Sequence, residues 1–404
     1  MLFLVVSLIF LNPENVWGQS GFEDQNLALK YRTDNNIPMQ YQVTKTGNTF
    51  ILFFSLDLPS GTDFNRNYDL SYQIKEEYGS LGSLITRTLN YATFGIGEEG
   101  SKKYFKIRFE DDDNFKILFL RLKNTQSSIE HVWDIPLKGE FTYDPPDFYL
   151  SRTKVDLPYL YPYLEIGDAL QITPVDSALQ EFFVYHYDHT FSPADPPMSR
   201  LEKDISRSMM VDTLFSVGPG ESFELTKPGL YFIQSDTTSF SGISIRAEEK
   251  FYPKLVRMDD IVDPVIYLTT SQEIERLKKA EDPKIAFEKF WLNLAANEEL
   301  AAKLIRIYFN QVENANRLFT NYKPGWKSDM GMIYIIYGPP DEVTSNGETE
   351  TWYYGQQTSF AVVFNFLKLK SIFTHQHFLL IRDKQYRDSW YRAIENWRRG
   401  RINR

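Results

Sequence analysis

From residue 50 to 123 the chain sets apolar and polar positions in short blocks bounded by turn residues. FILFFSL at 50–56 is a nearly continuous apolar run, the pattern of a strand covered on both faces. KKYFKIRFE at 102–110 alternates, with Phe105, Ile107 and Phe109 on one side and Lys106 and Arg108 on the other. FKILFLRLK at 115–123 follows directly. The Asp and Asn residues between them, 111–114, tolerate turn geometry, so the pattern predicts a hairpin. TLNYATFGIG and HVWDIPL add two candidate strands, and together these predict a β-sandwich over 22–146.

DPPDF at 144–148 and LPYLYPYLEIG at 157–167 are stiff and proline-rich, and read as a linker leading into a new domain. Strands are predicted at 169–172, 181–187, 209–215, 229–234 and 242–248. Lys227-Pro228-Gly229 is a turn feeding the fourth of these, a device common in immunoglobulin-like modules. A second β-sandwich over 147–252 is the reading.

From Thr270 the period becomes helical. Thr270 with Glu273 makes a capping box, and Asp282-Pro283 is an N-cap followed by proline at the first helical position. Phe287, Phe290, Trp291 and Leu294 form one apolar stripe. After a break near Asn297, Leu300, Leu304, Ile307, Tyr308 and Val312 continue it. Further on, KPGWKSDMGMIYIIYGPPDEV, ETWYYG and FAVVFNF fill most of 323–366. Ser328 or Asp329 would cap a short helix carrying Met330, Ile333 and Tyr337. Gly338 would end that helix, and Pro339-Pro340 would block its continuation. MIYIIY by itself prefers strand. Trp326 is expected to plug the helices against a following sheet. In that sheet 351–354 pairs with 360–366, 378–381 adds a strand, and Asn346-Gly347 makes a tight turn.

These residues resemble the GWxTD domain, a family of exported proteins of Gram-negative bacteria with no assigned activity. The likeness rests on Gly325-Trp326-Lys327-Ser328-Asp329, where Ser328 stands in the place of the family's Thr. It also rests on the lead-in Phe287-Glu288-Lys289-Phe290-Trp291, with Ala315-Asn316 and Phe319. Residues 328–366 also resemble the small E component of the outer-membrane β-barrel assembly machine, a scaffold. The expected architecture is mainly β with an α+β C-terminal part. It comprises two immunoglobulin-like β-sandwich domains, then a helical stem and a small GWxTD domain over 270–404.

A structural role is assigned to the motif residues Gly325, Trp326, Ser328, Asp329, Gly338, Pro339, Pro340, Asp341, Trp352 and Tyr354. The catalytic alternative would make Asp329, Asp341 and Glu342 acid/base groups. Against it, Asp329 has a capping role, and Asp341 and Glu342 follow a Pro-Pro turn where solvation is expected. No catalytic residue, metal ligand or cofactor is assigned, and no nucleophile-elbow, zinc-protease, phosphate-loop or dinucleotide motif occurs. The acidic run 110–113 is contiguous, a poor spacing for calcium, and reads as a solvated hairpin tip. His186, Asp188 and His189 supply at most two convergent ligands where zinc wants three or four. They read as polar strand-end residues, and His375 and His377, on one strand face, read the same way.

At 404 residues the chain is long enough for two or three domains, and 42% apolar residues suffice for packed cores. A net charge of −10 argues against sequence-independent nucleic-acid binding. The lack of cysteine excludes disulfides, thiolate sites and a lipoprotein anchor. LFLVVSLIFL at 2–11 is too short to span a bilayer and matches a signal-peptide core, with cleavage after Gly18. No Lys or Arg precedes it, which points to a misplaced start codon, the alternative being a buried N-terminal strand. No other segment is long enough to cross a membrane. The tail from Lys384 is a cationic amphipathic helix whose Trp390 and Trp397 are expected to pack on the sheet rather than on a membrane surface. The expectation is an exported, non-enzymatic interaction protein of the periplasm or cell surface with an envelope protein partner. A carboxylate-dependent hydrolase of glycan or peptide, or a glycan-binding module, is the rival.

Overall fold

In the computed structural model the apolar run at 50–56 lies in β2 (Thr49–Asp57) and is buried on both faces. Residues 25–33, 37–153, 155–176, 178–200, 208–295, 297–355 and 361–402 are described, so the signal-peptide reading at 1–18 lies outside them. β2 sits in a four-stranded antiparallel sheet with β1 (Met39–Thr46), β5 (Gly95–Glu99) and β6 (Lys102–Glu110), in the order β1-β2-β6-β5. A second antiparallel sheet has the order β4-β3-β7-β8. Its strands are β3 (Tyr68–Lys75), β4 (Ile85–Leu89), β7 (Ile117–Asn124) and β8 (Glu130–Pro136). Because side chains alternate along a strand, Phe50, Leu52 and Phe54 of β2 and Phe105 and Ile107 of β6 share one face. They meet Leu70, Tyr72, Leu118 and Leu120 of the other sheet in one apolar cluster.

The hairpin expected across 111–114 does not form, because β6 pairs with β2 and β5 while β7 pairs with β3 and β8. Both strands bury their apolar face in the same core, so the connection crosses from one sheet to the other instead of turning within one. The acidic run is solvated at Glu110, Asp112 and Asp113, but Asp111 is largely buried and pairs with Lys45 at 2.7 Å and with Lys138. TLNYATFGIG is likewise two strands, β4 and β5, separated by a helical turn at Tyr91–Phe94 that Asn90 caps.

The next strands are β9 (Phe148–Arg152), β10 (Tyr163–Glu165), β11 (Ala169–Pro174), β12 (Phe182–Tyr187) and β13 (Thr213–Val217). β14 (Ser222–Glu224), β15 (Gly229–Gln234) and β16 (Ile243–Glu248) follow. They form a five-stranded sheet, β10-β16-β15-β12-β13, and a three-stranded one, β14-β11-β9. Every pairing is antiparallel except β10 with β16. Phe148, Leu150, Leu170 and Ile172 from one sheet pack with Phe182, Val184, Ile233 and Ile245 from the other. The outer face of β2 joins the two regions: Ile51 and Phe53 pack with Tyr104, Tyr149 and Leu160, and the Phe53 and Tyr149 rings lie 4.9 Å apart.

His186 lies next to the last residue of β12 and is buried there, its Nδ1 3.0 Å from Asp212 and its Nε2 3.0 Å from the Pro228 carbonyl, while Asp188 and His189 follow the strand and are exposed. His375 and His377 share no strand face, because they lie in the bend preceding a later strand that starts at Phe378.

Helices concentrate in the C-terminal part. A short helix (Met258–Val262) and a 3-10 turn (Asp263–Tyr267) precede the first one expected. Three longer helices follow, here named αA (Ser271–Lys278), αB (Pro283–Leu294) and αC (Glu298–Phe319). Each start is fixed by a side chain that accepts an otherwise orphaned amide: Thr270 for αA, Asp282 for αB and Asn297 for αC. αD (Asp329–Tyr337) is buried from Asp329 to Ile336 on all sides. The antiparallel sheet β17 (Glu342–Ser345), β18 (Thr349–Tyr354), β19 (Val362–Lys368) and β20 (Phe378–Leu380) follows, and αE (Tyr386–Arg398) ends the described chain's regular structure. Trp390 and Trp397 of αE are buried; the Trp397 indole donates to the Ile336 carbonyl at 3.0 Å. Leu27, Ala28 and Tyr31 near the start of the chain, and Phe119 and Val132 from β7 and β8, pack into this same core.

Glu273 ties αA to αE. It completes the Thr270 capping box and takes both terminal nitrogens of Arg398 at 2.8 and 3.0 Å. Chiefly through the Arg398 hydrogen bonds, and against the opposing effect of burial, its carboxyl is held down at about 2, below the ordinary 4.5. The folded value lies below the unfolded one, so this stabilisation is complete above the unfolded pKa and is lost as pH falls through about 2. A quarter of the Glu273 side chain stays exposed, which screens the pair. Glu273→Gln is expected to cost about 1–2 kcal/mol at neutral pH. In urea unfolding that difference should shrink towards zero in strong acid.

Candidate functional site

The signature segment is held at backbone contact with αC. The Gly325 amide donates to Thr320 Oγ1 at 3.0 Å, and the Trp326 amide to Asn316 Oδ1 at 3.0 Å. A Cβ on Gly325 would lie 2.1 Å from the Ala315 carbonyl oxygen, and one on Gly331 would lie 2.0 Å from that of Gly325. Only glycine lets these three segments approach so closely. Ser328 caps αD: its hydroxyl accepts from the Gly331 amide at 2.9 Å and donates to the Gly325 carbonyl at 2.7 Å. Trp326 is buried edge-on to Tyr267, whose hydroxyl donates to the Trp326 carbonyl at 2.8 Å.

Asp329 does not cap the helix. Its carboxylate takes Arg382 Nη2 at 2.5 Å, Nη1 at 3.1 Å and the Leu380 amide at 2.8 Å. Aspartate and arginine are 4% and 6% exposed, and Arg382 also donates to the Asp195 carbonyl at 3.1 Å. The ion pair therefore fastens αD to β20 and to the 190s loop. Gly338 ends αD at φ 81°, and its carbonyl accepts the Tyr354 hydroxyl at 2.9 Å. Pro339 and Pro340 follow. Asp341 is exposed and accepts the Gly355 amide at 2.6 Å. Asp329 and Asp341 thus each close a structural contact of their own.

A second constellation, which the motifs did not disclose, lies around β18 and β19. Trp352 Nε1 donates to Glu350 Oε1 at 2.7 Å, and the Tyr31 hydroxyl donates to the same oxygen at 2.5 Å. Lys30 pairs with Asp134 Oδ1, and the Tyr78 hydroxyl donates to Oδ2 at 2.7 Å. Burial pushes the Glu350 carboxyl up despite the nearby Lys30 charge and its two donors. Burial also opposes ionisation of Asp134, but the Lys30 charge and the hydrogen bonds outweigh it and hold the pKa below the ordinary value. Lys368 is 6% exposed, and burial lowers its pKa. Beside them is a cavity of about 390 Å³ lined by Glu350, Lys368, Asp134 and His375, among others. One sequence signal pointed here. In β18 and β19 the period-two pattern places Glu350 with Trp352 and Tyr354, and Lys368 with Phe364 and Phe366, on the buried face. A charge in register with a core face is the informative exception.

Burial holds His375 and His377 down at about 4, so both are neutral at physiological pH. Among the described residues no group of three or more His, Asp or Glu side chains is placed to hold a metal ion. Nor is any helix there long and apolar enough to cross a membrane.

Residues 229–399 match the family described as the GWxTD domain. The chain carries a GWxTD domain. The match runs from the first residue of β15 past the end of αE, so the GWxTD domain as matched includes β15 and β16 as well as the capped helices and the last sheet. No curated protein matches the chain. Among solved structures, the chain is similar to three N-terminal domains of the highly immunogenic outer capsid protein of bacteriophage RB49. Identity there is 10% and the TM-score 0.17, over 53% of this chain and 58% of that one. A C-terminal fragment of intimin, in complex with the intimin-binding domain of its translocated receptor, is similar at 10% identity. It covers 87% of this chain and 95% of that one, with a TM-score of 0.16. At such TM-scores neither likeness carries an argument.

Proposed function

We propose that this GWxTD-domain protein is a non-enzymatic interaction protein, exported to the periplasm or surface of a Gram-negative cell, where it binds an envelope protein partner. In this reading 22–146 and 147–252 are immunoglobulin-like sandwich domains and 270–404 is the GWxTD domain with its helical stem, the family match reaching back to β15 and β16 of the second sandwich. The observation that carries it is the saturation of the signature's reactive-looking groups. Asp329 is taken up by Arg382 and the Leu380 amide, Ser328 by Gly331 and Gly325, and Asp341 by Gly355. A buried carboxylate in a two-pronged ion pair serves poorly as an acid or base, because changing its protonation breaks the pair. The ten motif residues then specify a fold, and recognition falls to loops and sheet edges.

A second reading, a carboxylate-dependent hydrolase or a glycan-binding module, draws on Asp134 and Glu350 beside the cavity. Affinity capture of the tagged protein from Gram-negative envelope extract, run beside peptide and glycoside hydrolysis assays, separates the two. Expected are one reproducible stoichiometric envelope partner and no turnover. Turnover abolished by Glu350→Gln in a folded variant would overturn the proposal in favour of the hydrolase.

A further inference from the structure

Direct contacts around the 390 Å³ cavity leave a charged group without a hydrogen-bond partner among the described residues. Asp134 is committed to Lys30 and Tyr78, and Glu350 Oε1 to Tyr31 and Trp352. Lys368 is left over. It projects from the buried face of β19, lines the cavity, and its ammonium has no hydrogen-bond or ion-pair partner among the described residues. His375 lines the same space, and its Nδ1 is buried and unpartnered. The Asp134 and Glu350 charges act on Lys368 without a direct contact, and a buried ammonium with no hydrogen-bond acceptor is unfavourable, a deficit that a bound acceptor or a lost proton relieves.

We propose that the cavity binds a small hydroxylated organic anion, such as an acidic sugar, whose carboxylate or phosphate head is anchored by Lys368 and accepts a hydrogen bond from His375. The volume argues for an organic body, since a water molecule occupies only about 30 Å³ of liquid and a bare inorganic anion would leave most of the space unfilled. The walls argue for a ring: Tyr41, Tyr143, Tyr159 and Tyr161 all line the cavity, an aromatic lining of the kind on which a sugar ring stacks. A cationic ligand would meet the Lys368 charge with no free carboxylate pair to receive it. The site draws residues from the start of the chain, from β8 and from the GWxTD domain, so a ligand there would bridge all three. This inference is independent of the partner-binding reading, because it concerns a cavity and not an outer surface.

The test is calorimetric titration of the full chain with glucuronate, glucose 6-phosphate and glucose. At least one acidic sugar should bind about tenfold or more tightly than glucose, and the tighter of the two identifies the head group as carboxylate or phosphate. Lys368→Met should erase the preference for the charged sugar, and Lys368→Arg, which keeps the charge, should retain part of it. His375→Ala should weaken the acid without changing glucose. Glucose binding as tightly as both acids, no binding by either acid, or an undiminished preference in a folded Lys368→Met variant would each overturn the proposal. Should Lys368→Met fail to fold, the wild-type comparison of acid with glucose and the His375→Ala variant still decide it.

Discussion

Asp329→Asn is expected to lower the unfolding free energy by about 3–5 kcal/mol, the typical cost of breaking a buried ion pair and leaving one charge behind. The magnitude follows from burial. Arg382 is 6% exposed and takes two bonds to the Asp329 carboxylate, so removing the negative charge leaves a guanidinium out of water with only the Asp195 and Leu380 carbonyls. The Leu380 amide also keeps a poorer acceptor, which loosens β20 from αD. Replacing both partners at once, Asp329→Leu with Arg382→Met, should cost clearly less than the single change, because no charge is then stranded. Urea unfolding of the three variants at neutral pH reads this directly. A single-variant cost within about 0.5 kcal/mol of zero, the range of ordinary surface changes, would mean the pair does not fasten the segment.

Gly325→Ala is expected to be at least as damaging. The new methyl would sit 2.1 Å from the Ala315 carbonyl oxygen and 2.8 Å from Asn316 Cα, and both are backbone atoms of αC with no rotamer to yield. Either αC and the turn separate, losing the Trp326–Asn316 and Gly325–Thr320 hydrogen bonds, or the helix bends. Overpacking of this kind costs about 1–3 kcal/mol where side chains can adjust, and more where they cannot. Gly82→Ala is the matched control. Nothing lies within 4 Å of a Cβ there, so the same chemical change should stay within about 0.5 kcal/mol of the parent. Similar losses at both positions would remove the steric explanation.

Features decided within a few residues were the readable ones. The starts of αA and αB follow from Thr270 and Asp282-Pro283, because a cap needs only an oxygen two or three residues before an orphaned amide, and Asn297, read only as a break, caps αC by the same rule. Gly338 with Pro339 ends αD by equally local rules. MIYIIY shows where local preference loses. Its β-branched and aromatic residues favour strand, but the Ser328 cap and burial on every side make it helix. Pairings between distant residues were not readable. Which sheet takes β6 and which takes β7 depends on partners far along the chain, so the apparent hairpin dissolved.

For the same reason Arg382 could not be named as the partner of Asp329, 53 residues away. Nor could Asn26 be matched with the Val343 amide, which it meets across 317 residues. The cluster at the cavity lies between these extremes. Glu350 and Lys368 carry a legible signal, charges in register with apolar faces, that the pattern reading passed over, whereas their neighbours Lys30, Tyr31 and Asp134 carry none.

The central claim is that the GWxTD signature is a locked piece of architecture, and native-state amide hydrogen exchange tests it most directly. Three amides report on it: Gly331, bonded to Ser328; Leu380, bonded to Asp329; and Trp326, bonded to Asn316. All three should exchange only at the rate of global unfolding, with the same denaturant dependence as the slowest core amides of αC. Fast exchange at Gly331 and Leu380 in the otherwise folded protein would mean the segment opens on its own, as a mobile active-site element does, and would contradict the account.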